Sequence, residues 1–343
     1  MSIESRKSEH IEINLTKDVS GKGINSGLER YRFEHAALPE LNLSEVDIST
    51  EFLGHKLQVP LLISSMTGGT EESLRINANL ARAAQQMGVA MGLGSGRIAL
   101  ESTATAQYFS VRKEAPDVLL LANLGAVQLN YGTSARDCQR LVDKLEANAL
   151  VLHLNALQEA VQPEGDTNFA GLLDKIAEVC TVVNVPVVVK EVGWGLSGDV
   201  VTALAHAGVA GIDLAGAGGT SWSEVERYRG NAEQQAVAAA FADWGIPTAE
   251  ALAAAREALR GFRHLPLIAS GGLRNGVDAA KCFALGAHLA GMASPFLRAA
   301  VESESQVESL IRVFERQLRI AMFATGTRNL TELRGTSRLK RIE

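Results

Sequence analysis

Beyond about residue 55, short apolar runs alternate with longer stretches whose apolar residues recur every three to four positions. The runs are PLLIS (60–64), VAMGL (89–93), VLLLAN (118–123), ALVLHLN (149–155), PVVVK (186–190), GIDLA (211–215), PLIAS (266–270) and HLAGMA (288–293). Helical patterns cover 72–87, 103–114, 134–147, 169–182, 198–207, 232–243 with 247–260, 275–285 and 295–323. Strands that read as unbroken apolar runs belong to parallel sheets covered by helices. Eight such units in roughly 280 residues predict an α/β fold, a single (β/α)8 TIM barrel domain. Residues 1–55 are polar and read as an irregular N-terminal extension. An open doubly wound sheet is the competing architecture, but no GxGxxG follows the first strand.

Composition narrows the class. The chain has 343 residues, 46% hydrophobic, 5% aromatic, with 32 glycines, which suits an α/β enzyme with many tight turns. A net charge of −6 gives no support for nucleic-acid binding, so an anionic substrate needs local cations. Cys138, Cys180 and Cys282 fall in predicted helices without CxxC spacing, which argues against a disulfide framework or a zinc site. The N-terminal stretch lacks a signal-like apolar run, and no segment reaches the ~18–20 apolar residues of a membrane span. A reduced, cytoplasmic protein is expected.

In such barrels the active site gathers at the C-terminal strand ends. Those ends are polar here. The fourth strand leads into His153 and Asn155, which share the face of Val151, and then into Gln158, Glu159 and a Pro-Glu-Gly-Asp turn. The first ends in SSMTGG (64–69), the second in GSGR (94–97), the third in Asn123, and the sixth in Asp213 and AGAGGTSW (215–222). Lys190 closes the fifth strand. It either snorkels to solvent, forms a Schiff base, or faces an anionic cofactor. After strands seven and eight, Gly271 and Gly272 precede a helix starting near Asn275, and Gly291 precedes Pro295. Unpaired amides at such helix N-termini bind phosphate. Arg6 and Lys7, with His10 close by, read either as a solvated tail or as cations ordered by a second phosphate. Arg97 suits bidentate phosphate contact.

In the order RKSEHI, SSMTGG, GSGR, HLNALQE with QPEGD, KEVGWG, AGAGGTSW, ASGGLR and GMASPF, the chain resembles the type 2, FMN-dependent isopentenyl-diphosphate Δ-isomerases, which are (β/α)8 barrels. The resemblance implies that Ser65, Met66 and Thr67 line the flavin ring, that Ser95 and Asn123 contact flavin, and that Lys190 lies near its pyrimidine side. It implies that Thr220, Gly271, Gly272, Arg274, Met292 and Ala293 surround the ribityl phosphate. Arg6, Lys7, Arg97, His153, Asn155 and Gln158 would hold the substrate diphosphate, with His10 beside them, and Trp222 would wall the pocket. Glu159 would bind Mg2+, which commonly takes one or two carboxylates plus substrate phosphates. NADPH would serve only to prime the flavin, and a tetramer or octamer of identical chains is expected. Ala156 and Gly96 depart from the family pattern, where proline and glutamine are common. The rival is an FMN-dependent 2-hydroxy-acid oxidase, which needs a histidine base after strand six. The sequence has no histidine between His206 and His264. An inosinate-dehydrogenase-like nucleophilic cysteine is also missing there.

Overall fold

The computed structural model describes residues 3–262 and 265–342. All eight expected strands form: β1 (Leu61–Ile63), β2 (Ala90–Gly92), β3 (Leu120–Gly125), β4 (Ala149–His153), β5 (Val187–Lys190), β6 (Gly211–Asp213), β7 (Leu267–Ser270) and β8 (Leu289–Met292). Each pairs in parallel with the next, and β8 pairs with β1, which closes the barrel.

Closure gives each strand an inner and an outer face, alternating residue by residue. The inner set is Leu62, Ala90, Leu119, Leu121, Ala149, Val151, Val188, Ile268 and Leu289. The outer set, including Leu61, Met91, Leu120, Leu150, Leu152, Val189 and Ile212, packs against the helices. With both faces buried, the strands need apolar residues at consecutive positions, hence their unbroken runs.

From residue 3 onward the extension serves both ends of the barrel. A hairpin, Thr50–Phe52 with His55–Leu57, sends Phe52 and Leu57 into the inner cluster and plugs the end where the strands begin. At the other end lies a helix, Ile3–Thr16. It buries Ile11 but has no continuous apolar stripe, so hydrophobic periodicity does not register it.

Two expected helices are broken. Residues 295–323 split into Ser294–Glu302 and Glu304–Phe323, because Ser303 is extended and its hydroxyl caps Gln306 N at 3.3 Å. The stretch expected as one helix over 103–114 forms the short turns Thr103–Ala106 and Gln107–Phe109, just after Arg97–Glu101. There the Thr105 hydroxyl donates to the carbonyls of Ile98 and Ser102, a local alternative to helix propagation.

Residues 19–26 run along the loop after β6. Ser221 N donates to Val19 O at 2.8 Å, Gly21 N to Gly219 O at 3.2 Å, and Ala249 N to Ser26 O at 2.9 Å. The approach is backbone on backbone. Gly218 has φ +119°, and a Cβ there would lie 2.1 Å from Ser26 N. Gly218→Ala therefore combines left-handed strain with a clash, and should cost about 3 kcal/mol or more, read as a lowered urea midpoint. An unchanged midpoint would show that the extension can lift away freely.

Candidate functional site

At the C-terminal mouth the inner face of each strand changes character. The next inward position is Ser64 after β1, Gly92 on β2, Asn123 on β3, His153 on β4, Lys190 on β5, Asp213 on β6, Ser270 on β7 and Gly291 on β8. Above this polar ring is a cavity of about 850 Å3. That is room for a cofactor and a small ligand together.

Every residue expected to form the site lines this cavity. Ser65, Met66, Thr67 and Ser95 come from the turns after β1 and β2, and Asn123 and Lys190 from the strand ends. Thr220, Gly271, Gly272, Arg274, Met292 and Ala293 come from the loops after β6, β7 and β8. Arg97, His153, Asn155, Gln158 and Glu159 line it too, closed over by Arg6, Lys7 and His10 of the N-terminal helix and by Trp222.

The strand ends interact across the register. His153 lies opposite Lys190, and Lys190 opposite Asp213. Lys190 is buried and does not snorkel; its ammonium donates to the Glu191 carbonyl at 2.5 Å. Two buried carboxylates act on it. Asp213 accepts the Ser270 hydroxyl at 2.6 Å, and burial pushes its carboxyl up while Lys190 pulls it down. Glu191 accepts the N–H groups of Val192, Gly193 and Trp194 at 2.6, 2.6 and 2.5 Å. Burial pushes Glu191 up to about 7, against those amides and Lys190.

His153 Nδ1 lies 2.8 Å from the Asn123 carboxamide oxygen. An acceptor partner puts the proton on Nδ1 and leaves Nε2 as an acceptor. Burial, then the charges of Lys190 and Lys7, depress this imidazole to about 3. Its neutral form therefore contributes stability that is complete above the unfolded value near ~6.5 and is lost as pH falls toward 3.

Helix Ala156–Val161 begins immediately after β4, with Asn155 at its N-cap position, so its first turn projects polar groups into the cavity. Asn155 donates to Glu159 Oε1 at 2.7 Å and to Gln158 Oε1 at 3.3 Å. Glu159 Oε2 accepts Gln162 Nε2 at 2.5 Å and Asp166 N at 2.8 Å. The Asn155 carboxamide oxygen Oδ1 is buried without a partner, as is the Ser64 hydroxyl after β1. Both atoms line residues of the cavity, and a bound polar group at each would satisfy them. The Glu159 carboxylate, whose Oε1 accepts a single N–H and keeps a lone pair, is an oxygen ligand of the kind a hard cation takes. No cluster of three His, Cys, Asp or Glu exists among the described residues, so ligand oxygens would have to complete its shell.

The N-terminal helix is tied down by polar contacts. Lys7 donates to Ser95 O at 2.9 Å, His10 Nε2 meets Glu226 Oε1 at 3.1 Å, and Glu9 pairs with Arg229 at 3.1 Å. Gln158 Nε2 also reaches Glu226, at 3.2 Å, and the Trp222 ring stands edge-on to His10 at 5.2 Å. Burial would raise the Glu226 carboxyl, but His10 and Arg229 more than offset it and hold it below the usual range. Sequence reasoning did not find Glu226, Arg229 or Asp166. The first two carried a signal: Trp222, Glu226 and Arg229 recur at helical spacing on Trp222–Arg229, a helix also missed.

One part of the phosphate expectation needs correction. The helix after β7, Gly276–Ala284, has no open N-terminus. Asn275 Oδ1 accepts Val277 N and Asp278 N, both at 2.9 Å, and Gln317 accepts Gly276 N at 2.9 Å. Gly271 and Gly272, at φ +100° and +75°, are required because Cβ atoms there would lie 2.0 Å from Gly216 O and 2.5 Å from Gly218 O. Their first task is to let two loops touch. Helix Ser294–Glu302 has no side-chain cap, and Ala293 and Ser294 at its start line the cavity, so this is the end left for an anion.

A closed parallel barrel with its polar residues gathered at one mouth defines a (β/α)8 barrel of the enzyme class. The FMN-dependent dehydrogenase family matches residues 3–148 and 128–340. Solved structures agree in fold: a mutant flavocytochrome b2 with pyruvate bound (TM-score 0.70, 20% identity, covering 96% of this chain and 82% of that one) and mandelate oxidase (TM-score 0.68, 19%, 98% and 95%). The chain is 52% identical over 341 residues to the isopentenyl-diphosphate delta-isomerase of a Nostoc species, covering 99% of this chain and 97% of the relative. It is 53% identical over 334 residues to that of a Synechococcus species, covering 97% and 95%. It belongs to the isopentenyl-diphosphate delta-isomerase family.

Nitrogen-15 NMR of the labelled, flavin-loaded protein is expected to show His153 neutral, with its proton on Nδ1, down to about pH 5. An imidazolium at pH 6 would overturn that assignment.

Proposed function

We propose that this chain interconverts isopentenyl and dimethylallyl diphosphate by an allylic proton shift assisted by reduced FMN. The observation that carries the reading is that one cavity joins a flavin-type half to a cationic and amide-rich half. Bound reduced FMN supplies an electron-rich ring and a proton site at N5, suited to an unactivated alkene. The protein supplies position and charge. Lys190 would stabilise a negative pyrimidine ring. The loops after β6 to β8 would hold the ribityl phosphate, together with the uncapped helix start at Ala293.

Arg6, Lys7, Arg97, Asn155 and Gln158 hold the diphosphate. Glu159 would hold Mg2+ together with the phosphate oxygens, and the unpaired Asn155 Oδ1 is a further oxygen ligand available there. His153, its Nδ1 against the Asn123 carboxamide oxygen, would stand beside them in the diphosphate half of the cavity. Trp222 and the N-terminal helix exclude water from the reacting carbons. NADPH primes the flavin and is not consumed in turnover. The reading includes a cytoplasmic tetramer or octamer of identical chains. The free thiols of Cys138, Cys180 and Cys282 suit a reducing compartment, and no helix among the described residues is long and apolar enough to cross a membrane. The oxidase alternative lacks its base: the loop 215–222 after β6 carries no histidine.

Anaerobic protein with FMN, a reductant and Mg2+ should convert isopentenyl diphosphate, and omission of FMN should abolish conversion. Glu159→Gln should lower the rate about tenfold or more at limiting Mg2+ while flavin stays bound. Wild-type turnover in that variant would remove Glu159 from the metal. Lactate-dependent peroxide without isomerisation would replace the isomerase reading by the oxidase.

A further inference from the structure

The QPEGD turn has no role in the scheme above, yet it sits on the cavity wall. Gly165 packs so closely that a Cβ there would lie 1.7 Å from Glu159 O, which folds the turn directly onto the helix carrying Glu159. Asp166 follows. Its amide donates to Glu159 Oε2 at 2.8 Å, and its carboxylate accepts Arg97 Nη1 at 3.0 Å and Gln128 Nε2 at 2.9 Å. One residue thus connects the loops after β2 and β3 to the helix after β4, and all four of these side chains line the cavity.

We propose that Asp166 is a specificity-determining residue that withholds Arg97 from a free diphosphate and releases it to one carrying a divalent cation. The proposal rests on the diphosphate reading above. Arg97 faces two carboxylates, Asp166 at 3.0 Å and Glu101 at 3.7 Å. A metal-free anion reaching Arg97 competes with Asp166 for the guanidinium and meets the negative charge of Asp166 beside it, with Glu159 on the same wall. Glu164 lines the same wall. Like charges placed against one form of a ligand discriminate without any new attractive contact. A cation bound to the diphosphate turns the same carboxylates from an obstacle into partners. The ion pair can exchange, because its side chains are 37% and 22% exposed, and such pairs are weak.

The test is calorimetric titration of the flavin-loaded wild type and Asp166→Asn with inorganic diphosphate, once in EDTA and once in excess Mg2+. Asparagine keeps an acceptor for Gln128 and the amide to Glu159, and removes only the charge. In EDTA the variant should bind at least about fivefold tighter than wild type, while in Mg2+ the two should agree within about twofold. Equal metal-free affinities overturn the proposal, and so does an equal loss in both conditions, which marks a purely structural residue. Should Asp166→Asn not accumulate folded with flavin, Asp166→Ser reads the same ratio. Wild type that binds neither form sinks the diphosphate reading and the proposal with it; failure of the charge effect alone leaves wild-type binding intact.

Discussion

A closed barrel gives each strand one inward column, and because all eight strands are parallel the columns open at the same end. Everything at the mouth depends on that constraint. Below, the columns hold Leu121, Val151, Val188 and Ile268, a packed core. One step higher they hold Asn123, His153, Lys190 and Ser270. The pairing register then sets His153 beside Lys190 and Lys190 beside Asp213, though these residues are far apart in the chain. Gly92 and Gly291 let neighbouring chain approach the ring closely, and a Cβ at Gly92 would lie 2.5 Å from Ser65 Oγ. A Cβ at Gly291 would lie 2.8 Å from both Ser64 Oγ and Ser270 Cβ.

Burying that many polar groups costs free energy, and the structure offsets the cost by pairing them. Glu191 folds onto its own following amides, Asp213 takes a serine hydroxyl, and Asn123 takes the histidine proton. Such pairs are weak arguments for stability but strong ones for position. Those left unpaired, Ser64 Oγ and Asn155 Oδ1, point to where bound groups belong. The N-terminal helix follows the same logic. It closes the cavity through Lys7, Glu9 and His10, and among its described side chains only Ile11 is a deeply buried apolar anchor.

Much of this was legible in the chain. Unbroken apolar runs located every barrel strand, because both strand faces are buried. The polar residue ending each run located the site, because period two carries the inward face past the core. Three things were not legible. The hairpin that plugs the barrel is too short and too mixed to stand out, with only Phe52 and Leu57 turned inward. The helices Ile3–Thr16 and Trp222–Arg229 are held mainly by charged contacts, which leave no hydrophobic stripe. The glycines after β7 were read as a phosphate turn, but Asn275 and Gln317 occupy the helix amides, and Gln317 lies 41 residues beyond Gly276.

The sequence by itself determined the barrel, the mouth and the residues that line it, because those follow from local periodicity and from the residue type at each strand end. Tertiary structure alone decided how they are partnered. Whether Arg97 stands free or against Asp166, which nitrogen of His153 carries the proton, and which helix start stays open are set by residues remote in the chain. Charge and hydrogen bonding at a few ångströms depend on distance and direction in space, and neither is written in the spacing of residues along the sequence.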